Sequence, residues 1–308
     1  MSDSQAATLS GSVECKTLDN FWSLKRPKVL AVLGFTVVLV GLAFARSFID
    51  IFNYWNMPES LYSHALLIPP ISLFFVWRLR APLLAEPIAP SYLGYPVLFS
   101  GCLMLLLGDF LGFMTFVHLA LLPVLAGLCL ILLGSQQLRI LWFPVLFLFF
   151  MIPMPYSIIS PISFQSKMLA TESSVALGQL LTLHMVQDGS YVYLGADDRL
   201  LVGDVCGGMR SLIALLAFGA LMAYMSKAKW WAKLLILLLS PAIAILANVS
   251  RIFFLCIVGY VWGSETATGL VHDVSGIGIF AVAFAMLFSL EALLRRVAPE
   301  RSKEALES

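Results

Sequence analysis

Long apolar runs, separated by short polar connections, dominate this chain. A helix needs roughly 17 to 25 apolar residues to cross a bilayer. Eight stretches read as such runs: residues 29–49, 65–77, 93–110, 113–133, 140–152, 205–224, 234–261 and 274–294. The second and fifth are short on their own. The pattern predicts an all-α polytopic membrane protein with about eight transmembrane helices. Between the fifth and sixth runs, residues 162–183 place Met168, Leu169, Val175, Ala176, Leu180 and Leu183 among Gln165, Lys167, Glu172 and Gln179. That is the composition of an amphipathic helix lying on or dipping into the interface. Two β-prone runs, 191–194 and 200–202, then flank Gly195-Ala196-Asp197-Asp198 and predict a small β-hairpin.

Charge adds orientation. Of the 19 Lys and Arg residues, 14 fall in one alternating set of connections and 5 in the other. Positive connections stay cytoplasmic, so both termini are expected inside. Residues 1–28 then form a cytoplasmic tail leading into an uncleaved first span. Residues 29–294 form the transmembrane domain, with 153–204 as a large extracytoplasmic segment, and 295–308 form a second cytoplasmic tail. Composition agrees: 60% of residues are hydrophobic and 12% charged, about half the charge of a soluble domain. A net charge of +1 gives no case for nucleic acid. The five cysteines show no CxxC spacing, so neither a disulfide framework, a metal site nor a cofactor is expected.

The candidate chemistry sits on the outer side. Residues 203–211, Gly-Asp-Val-Cys-Gly-Gly-Met-Arg-Ser, deliver Cys206 to the mouth of an apolar helix expected from about Ser211. Unpaired N–H groups and the positive end of the dipole favour a thiolate there. Arg210, four residues on, would add a cation on the same helical face. The plainer alternative is a small packing residue. Arg251 follows Lys233 by 18 residues, about 27 Å along a helix and so near the outer interface. An arginine at mid-membrane costs about 2.5–3.5 kcal/mol, which marks a functional site unless the side chain snorkels. Asn248 shares its helical face. His272 is expected in the outer connection 263–273, either as a catalytic base or as an ordinary loop histidine. His64, in Tyr62-Ser63-His64, is a reserve candidate, while His118 reads as structural.

These motifs resemble those of the exosortase and archaeosortase family of multispanning cysteine transpeptidases. The family has a Cys-Ser-Gly-x-Arg-Ser-like motif, an Asn-x-x-Arg-like motif and a downstream histidine. Here they correspond to Cys206 through Ser211, Asn248 through Arg251, and His272. Tyr62-Ser63-His64 followed by Pro69-Pro70, Ile152-Pro153-Met154-Pro155, and Phe164-Gln165 match as well. The resemblance runs from about residue 60 to 290. Gly207 stands where the family usually has serine, a departure expected to alter packing or substrate preference and not to abolish activity.

The resemblance implies a cysteine-type membrane peptidase or transpeptidase with Cys206, Arg251 and His272 as its catalytic set, and Arg210, Asn248 and His64 in support. The implied partners are secreted proteins with PEP-CTERM-like C-terminal sorting signals: a short motif, one transmembrane helix and a basic end. The implied location is the inner membrane, with the active site facing outward. The rival reading is a non-enzymatic membrane component of exopolysaccharide export. A transporter is disfavoured because paired or acidic mid-membrane charges and inverted repeats are not evident.

Overall fold

A computed structural model describes residues 27–57, 60–195, 198–203 and 207–299. The chain divides into two compact units, Met1–Met57 with Ser63–Pro153, and Pro58–Tyr62 with Met154–Ser308.

In the first unit, α1 (Pro27–Ala43) and α2 (Ala45–Trp55) bend by 63° at the buried Phe44. A 3-10 turn, Ser63–Leu67, leads into α3 (Ile68–Arg78) and α4 (Arg80–Ala85). Pro69 and Pro70 fall in the first turn of α3, where a missing N–H leaves no intrahelical bond unmade. Next come α5 (Gly94–Leu111), α6 (Met114–Leu119), α7 (Leu121–Leu132) and α8 (Ser135–Phe147). Gly94, Gly101 and Gly108 recur every seven residues along α5. A Cβ on Gly101 would lie 2.8 Å from Val124, and one on Gly127 of α7 would lie 2.6 Å from the Leu98 nitrogen. Small residues thus bring two apolar backbones into direct contact, the packing that works where lipid removes the hydrophobic drive between helices.

The second unit holds α9 (Tyr156–Leu180), β1 (Met185–Asp188), β2 (Tyr191–Leu194), β3 (Asp198–Leu201), α10 (Met209–Met225), α11 (Trp230–Trp262), α12 (Ser264–Thr268) and α13 (Leu270–Val297). The strands form an antiparallel meander with Val192 opposite both Gln187 and Leu200. Three strands therefore stand where one hairpin was expected. The extra strand, β1, buries Met185 but exposes Val186, so its alternation carries little hydrophobic signal.

Two cores share α11. One packs Leu215 of α10, Ile236 and Ala244 of α11, and Ile279 and Leu287 of α13. The other packs Val249, Ile252, Leu255 and Cys256 of α11 against Ala170 and Val175 of α9 and the sheet residues Val192, Leu194 and Leu200. With 33 residues, α11 is about 50 Å long and exceeds the roughly 30 Å hydrocarbon layer. The amphipathic helix expected over 162–183 is α9, which starts earlier, at Tyr156. Its buried residues mix apolar Ile159, Ala170 and Val175 with Lys167, Thr171, Ser174 and Gly178. Ser174 Oγ donates to the Val249 carbonyl at 3.0 Å, while Phe164, Leu169, Leu177 and Leu180 are exposed.

With α6 and α7 taken as one helix, four described helices are long and apolar enough to cross a membrane, rising to six if each broken pair counts as one span. The other two of the eight expected spans correspond to α3, with 11 residues, and α10, with 17. At about 1.5 Å per residue, α3 rises only about 16 Å. At one end of the second unit, the Lys229 N–H donates to the Ala298 carbonyl at 2.9 Å and Ser226 Oγ to Glu291 at 2.9 Å. The basic connection between α10 and α11 and the basic end of α13 therefore lie together.

Candidate active site

Arg251 sits about two-thirds of the way along α11, where one core gives way to the other, and it is half-buried. Its Nε donates to Ser275 Oγ at 3.1 Å. Its Nη2 lies 3.2 Å from His272 Nε2 and donates to the His272 carbonyl at 3.3 Å. A guanidinium can only donate. In this contact His272 Nε2 is therefore the acceptor. Ser275 Oγ in turn donates to the His272 carbonyl at 2.7 Å. Arg251 and Ser275 also line an apolar groove of about 500 Å³ between α11 and α13, together with Ala247, Phe254 and Gly278.

What brings His272 to this point is a tight reversal. α11 ends at Gly263, whose φ of +88° suits glycine. The short α12 follows, anchored by Asp198 of β3, whose carboxylate accepts from the Ser264 N–H and from Ser264 Oγ, both at 2.6 Å. These two bonds hold the Asp198 carboxyl below its ordinary value. α13 then begins at Leu270, so His272 belongs to its first turn and not to the loop expected for it. That extra turn places Ser275 one turn beyond His272, on the face that meets Arg251.

Cys206, with Asp204 and Val205, lies outside the described residues. Its described neighbours are placed. Gly203 lines a pocket of about 190 Å³ together with Leu200, Ile252 and His272. Gly208 caps α10 with φ +72°, and a Cβ on it would lie 2.7 Å from the Asn248 amide. Gly207 is buried against α9, where a Cβ would meet Ser163 Oγ at 3.2 Å and Lys167 Cβ at 3.6 Å. The chain on both sides of Cys206 thus touches residues that belong to, or adjoin, the Arg251 and His272 cluster. The helix after it opens at Met209, so Cys206 precedes the cap. Arg210 is within α10, where it is half-buried, and the helical relation expected between Cys206 and Arg210 lies outside the described residues.

Asn248 is buried one turn before Arg251 on the same helix. His64 belongs to the first unit, on the turn Ser63–Leu67. Burial pushes its imidazole down to about 4, so it is neutral near pH 7. Two of the other motif stretches do meet: the Tyr62 hydroxyl accepts the Met154 N–H at 3.1 Å. Sequence reasoning missed Ser275, for which the only signal was its spacing of three from His272. It also passed over Lys167, a buried lysine whose ammonium lies 5.5 Å from the Phe164 ring centroid. Among the described residues no cluster of His, Cys, Asp or Glu could hold a metal ion.

Comparison with known proteins gives one match. The family model described as Transmembrane exosortase (Exosortase_EpsH) covers residues 54–289. No curated protein and no solved structure matches. The matched region takes in both units and every element around Arg251, and a match over that length makes this chain a member of the transmembrane exosortase family, a multi-pass membrane protein with a transpeptidase-type role.

Proposed function

We propose that the chain is a cysteine transpeptidase that cuts C-terminal sorting signals from secreted proteins at the outer face of the inner membrane. The substrate signal is a short PEP-CTERM-like motif, a single transmembrane helix and a basic end. The observation that carries this reading is the 3.2 Å contact between Arg251 Nη2 and His272 Nε2, flanked by Gly203 and Gly208 on either side of Cys206. An arginine and an imidazole in contact, in a chain whose family motif supplies a cysteine, are the groups that acyl transfer needs.

In this mechanism His272 Nε2 gives up the hydrogen bond that it accepts from Arg251 Nη2 at rest and takes the proton of the Cys206 thiol, and the sulfur attacks the carbonyl carbon of the motif. A C–S bond forms and the carbonyl becomes an oxyanion, which the permanently charged Arg251 stabilises. The C–N bond then breaks as His272 returns the proton to the leaving amine. Water or an amine resolves the thioester. Asn248 holds the chain next to Cys206, while Arg210 adds positive potential. His64 stays a reserve candidate.

Co-expression of a substrate with the wild type and with Cys206→Ser tests the reading, with mass spectrometry of the substrate's new C-terminus. Cleavage should occur with the wild type, and full-length substrate should accumulate with the variant, since a hydroxyl is far less ionised than a thiol. Cleavage that persists in Cys206→Ser would favour the non-enzymatic export component instead.

A further inference from the structure

Arg251 is held along one edge only. Its Nε and Nη2 are both engaged, by Ser275 Oγ, by the His272 ring and by the His272 carbonyl. Nη1 has no protein partner among the described residues. The guanidinium is planar, so fixing Nε fixes the plane and therefore the direction of both Nη1 hydrogens. Serine is suited to this because its oxygen can accept from Nε while its own proton goes to the carbonyl of His272 at 2.7 Å. A serine one turn after a carbonyl often makes that back-bond alone. Here the same oxygen also receives a charged donor from another helix.

We propose that Ser275 is a positioning residue for the Arg251 guanidinium, holding its Nε edge so that the Nη1 hydrogens face the substrate carbonyl oxygen. The inference rests on the reading of Arg251 as the oxyanion donor. It assigns that role to one nitrogen and gives the orientation to one hydroxyl. Because α11 and α13 supply one partner each, Ser275 also keeps the arginine and the histidine in register. Without the hydroxyl, the guanidinium still has its charge and its contact with His272, but its plane can swing about the Cδ–Nε bond. Substrate binding then survives and the transition state loses a directed donor.

The experiment is a set of variants in the full-length membrane protein, assayed on a membrane-anchored substrate and normalised to enzyme abundance. Ser275→Ala should lower kcat by about tenfold to a hundredfold, less than the loss of about 10²–10³ when an oxyanion donor is removed outright, while KM changes by less than about twofold. Ser275→Thr retains the hydroxyl and should restore kcat to within about threefold of the wild type, because threonine makes the same back-bond in a helix. The double variant Ser275→Ala with Arg251→Lys should be no slower than Arg251→Lys alone, since a residue that acts through the arginine adds nothing once the planar fork is gone. A purely structural serine would give additive losses, a lower thermal midpoint and no rescue by threonine, and that result overturns the proposal while leaving the cysteine mechanism standing. Cleavage that continues in Cys206→Ser would instead remove the mechanism, and the positioning role with it.

Discussion

Gly208 lies against Asn248 so closely that a Cβ would fall 2.7 Å from the amide carbon, and its φ is +72°. Two constraints therefore act on one position. Gly208→Ala should cost about 1–2 kcal/mol for the left-handed backbone alone, and the clash adds to it. The displaced Asn248 is one turn from Arg251, so processing should fall together with the thermal midpoint. Thermal unfolding in detergent and a processing assay on the same preparation check both, and an unchanged midpoint would mean that the cap does not need glycine.

Arg251→Lys keeps the positive charge but loses the planar fork that spans Ser275 and His272. Abundance should stay near normal, while processing should drop by about 10² or more, the scale for a lost oxyanion donor. Quantitative blotting of enzyme and substrate measures this. Normal processing would leave Arg251 as an arginine that merely reaches for the interface.

Gly207→Ser installs the residue usual in the family. A Cβ there would meet Ser163 Oγ at 3.2 Å, the movable tip of a side chain, so a small adjustment accommodates it. The expected outcome is retained processing, with any loss in thermal midpoint limited to the few degrees that about 1 kcal/mol represents. Loss of processing at normal abundance would show that glycine is needed next to the cysteine.

Asp198 links the sheet to the reversal that carries His272, and its carboxyl is held below the ordinary value of 3.8 by its bonds from Ser264. A depressed folded-state value means that the bond contributes fully above the unfolded value and is lost as pH falls through the folded one. The thermal midpoints of the wild type and Asp198→Ala should therefore differ by a constant amount from pH 8 to pH 5, and the difference should begin to shrink only below about pH 4. A difference that already shrinks between pH 7 and pH 5 would show that the Asp198 carboxylate is not what stabilises the link.

Reporter fusions placed after Lys227 and at Asp198 should report opposite compartments, inside and outside respectively. The prediction rests on the 14 to 5 division of Lys and Arg, and on the packing of the connection after α10 beside the end of α13. The same compartment for both would mean that the number of spans between them is wrong, and the shared outer face of Cys206, Arg251 and His272 would fail with it.

Much of the membrane framework was legible because long apolar runs have one solution in lipid, the helix. The runs 93–110 and 113–133 appear nearly unchanged as α5 and as α6 with α7. The surroundings of each run were harder. α11 matches the run 234–261 to within four residues at its start and one at its end, but that Ile252, Leu255, Cys256 and Val258 pack against protein was not legible, because hydropathy cannot distinguish a protein core from lipid. Arg251 was legible as a charge with no ordinary place in such a chain, and His272 through the motif order it shares with the family. Their direct contact was not, since it depends on where α13 starts, and Gly269 and Leu270 give no strong cap signal. Ser275 was hidden for a simpler reason: serine is ordinary on a membrane helix, and only the partner on α11 makes it particular. The third strand escaped because it exposes Val186.

The length of α11 has a mechanical consequence. One end of this rod is keyed into the core shared with α10 and α13, and the other into the core of α9 and the sheet. A rod clamped at both ends can neither slide nor turn independently, so the elevation of Arg251 above the lower core is as fixed as a mark on a gauge. Inserting one residue before Arg251 would raise it by about 1.5 Å and swing it through about 100°. What the site can reach is therefore set by height as well as by chemistry.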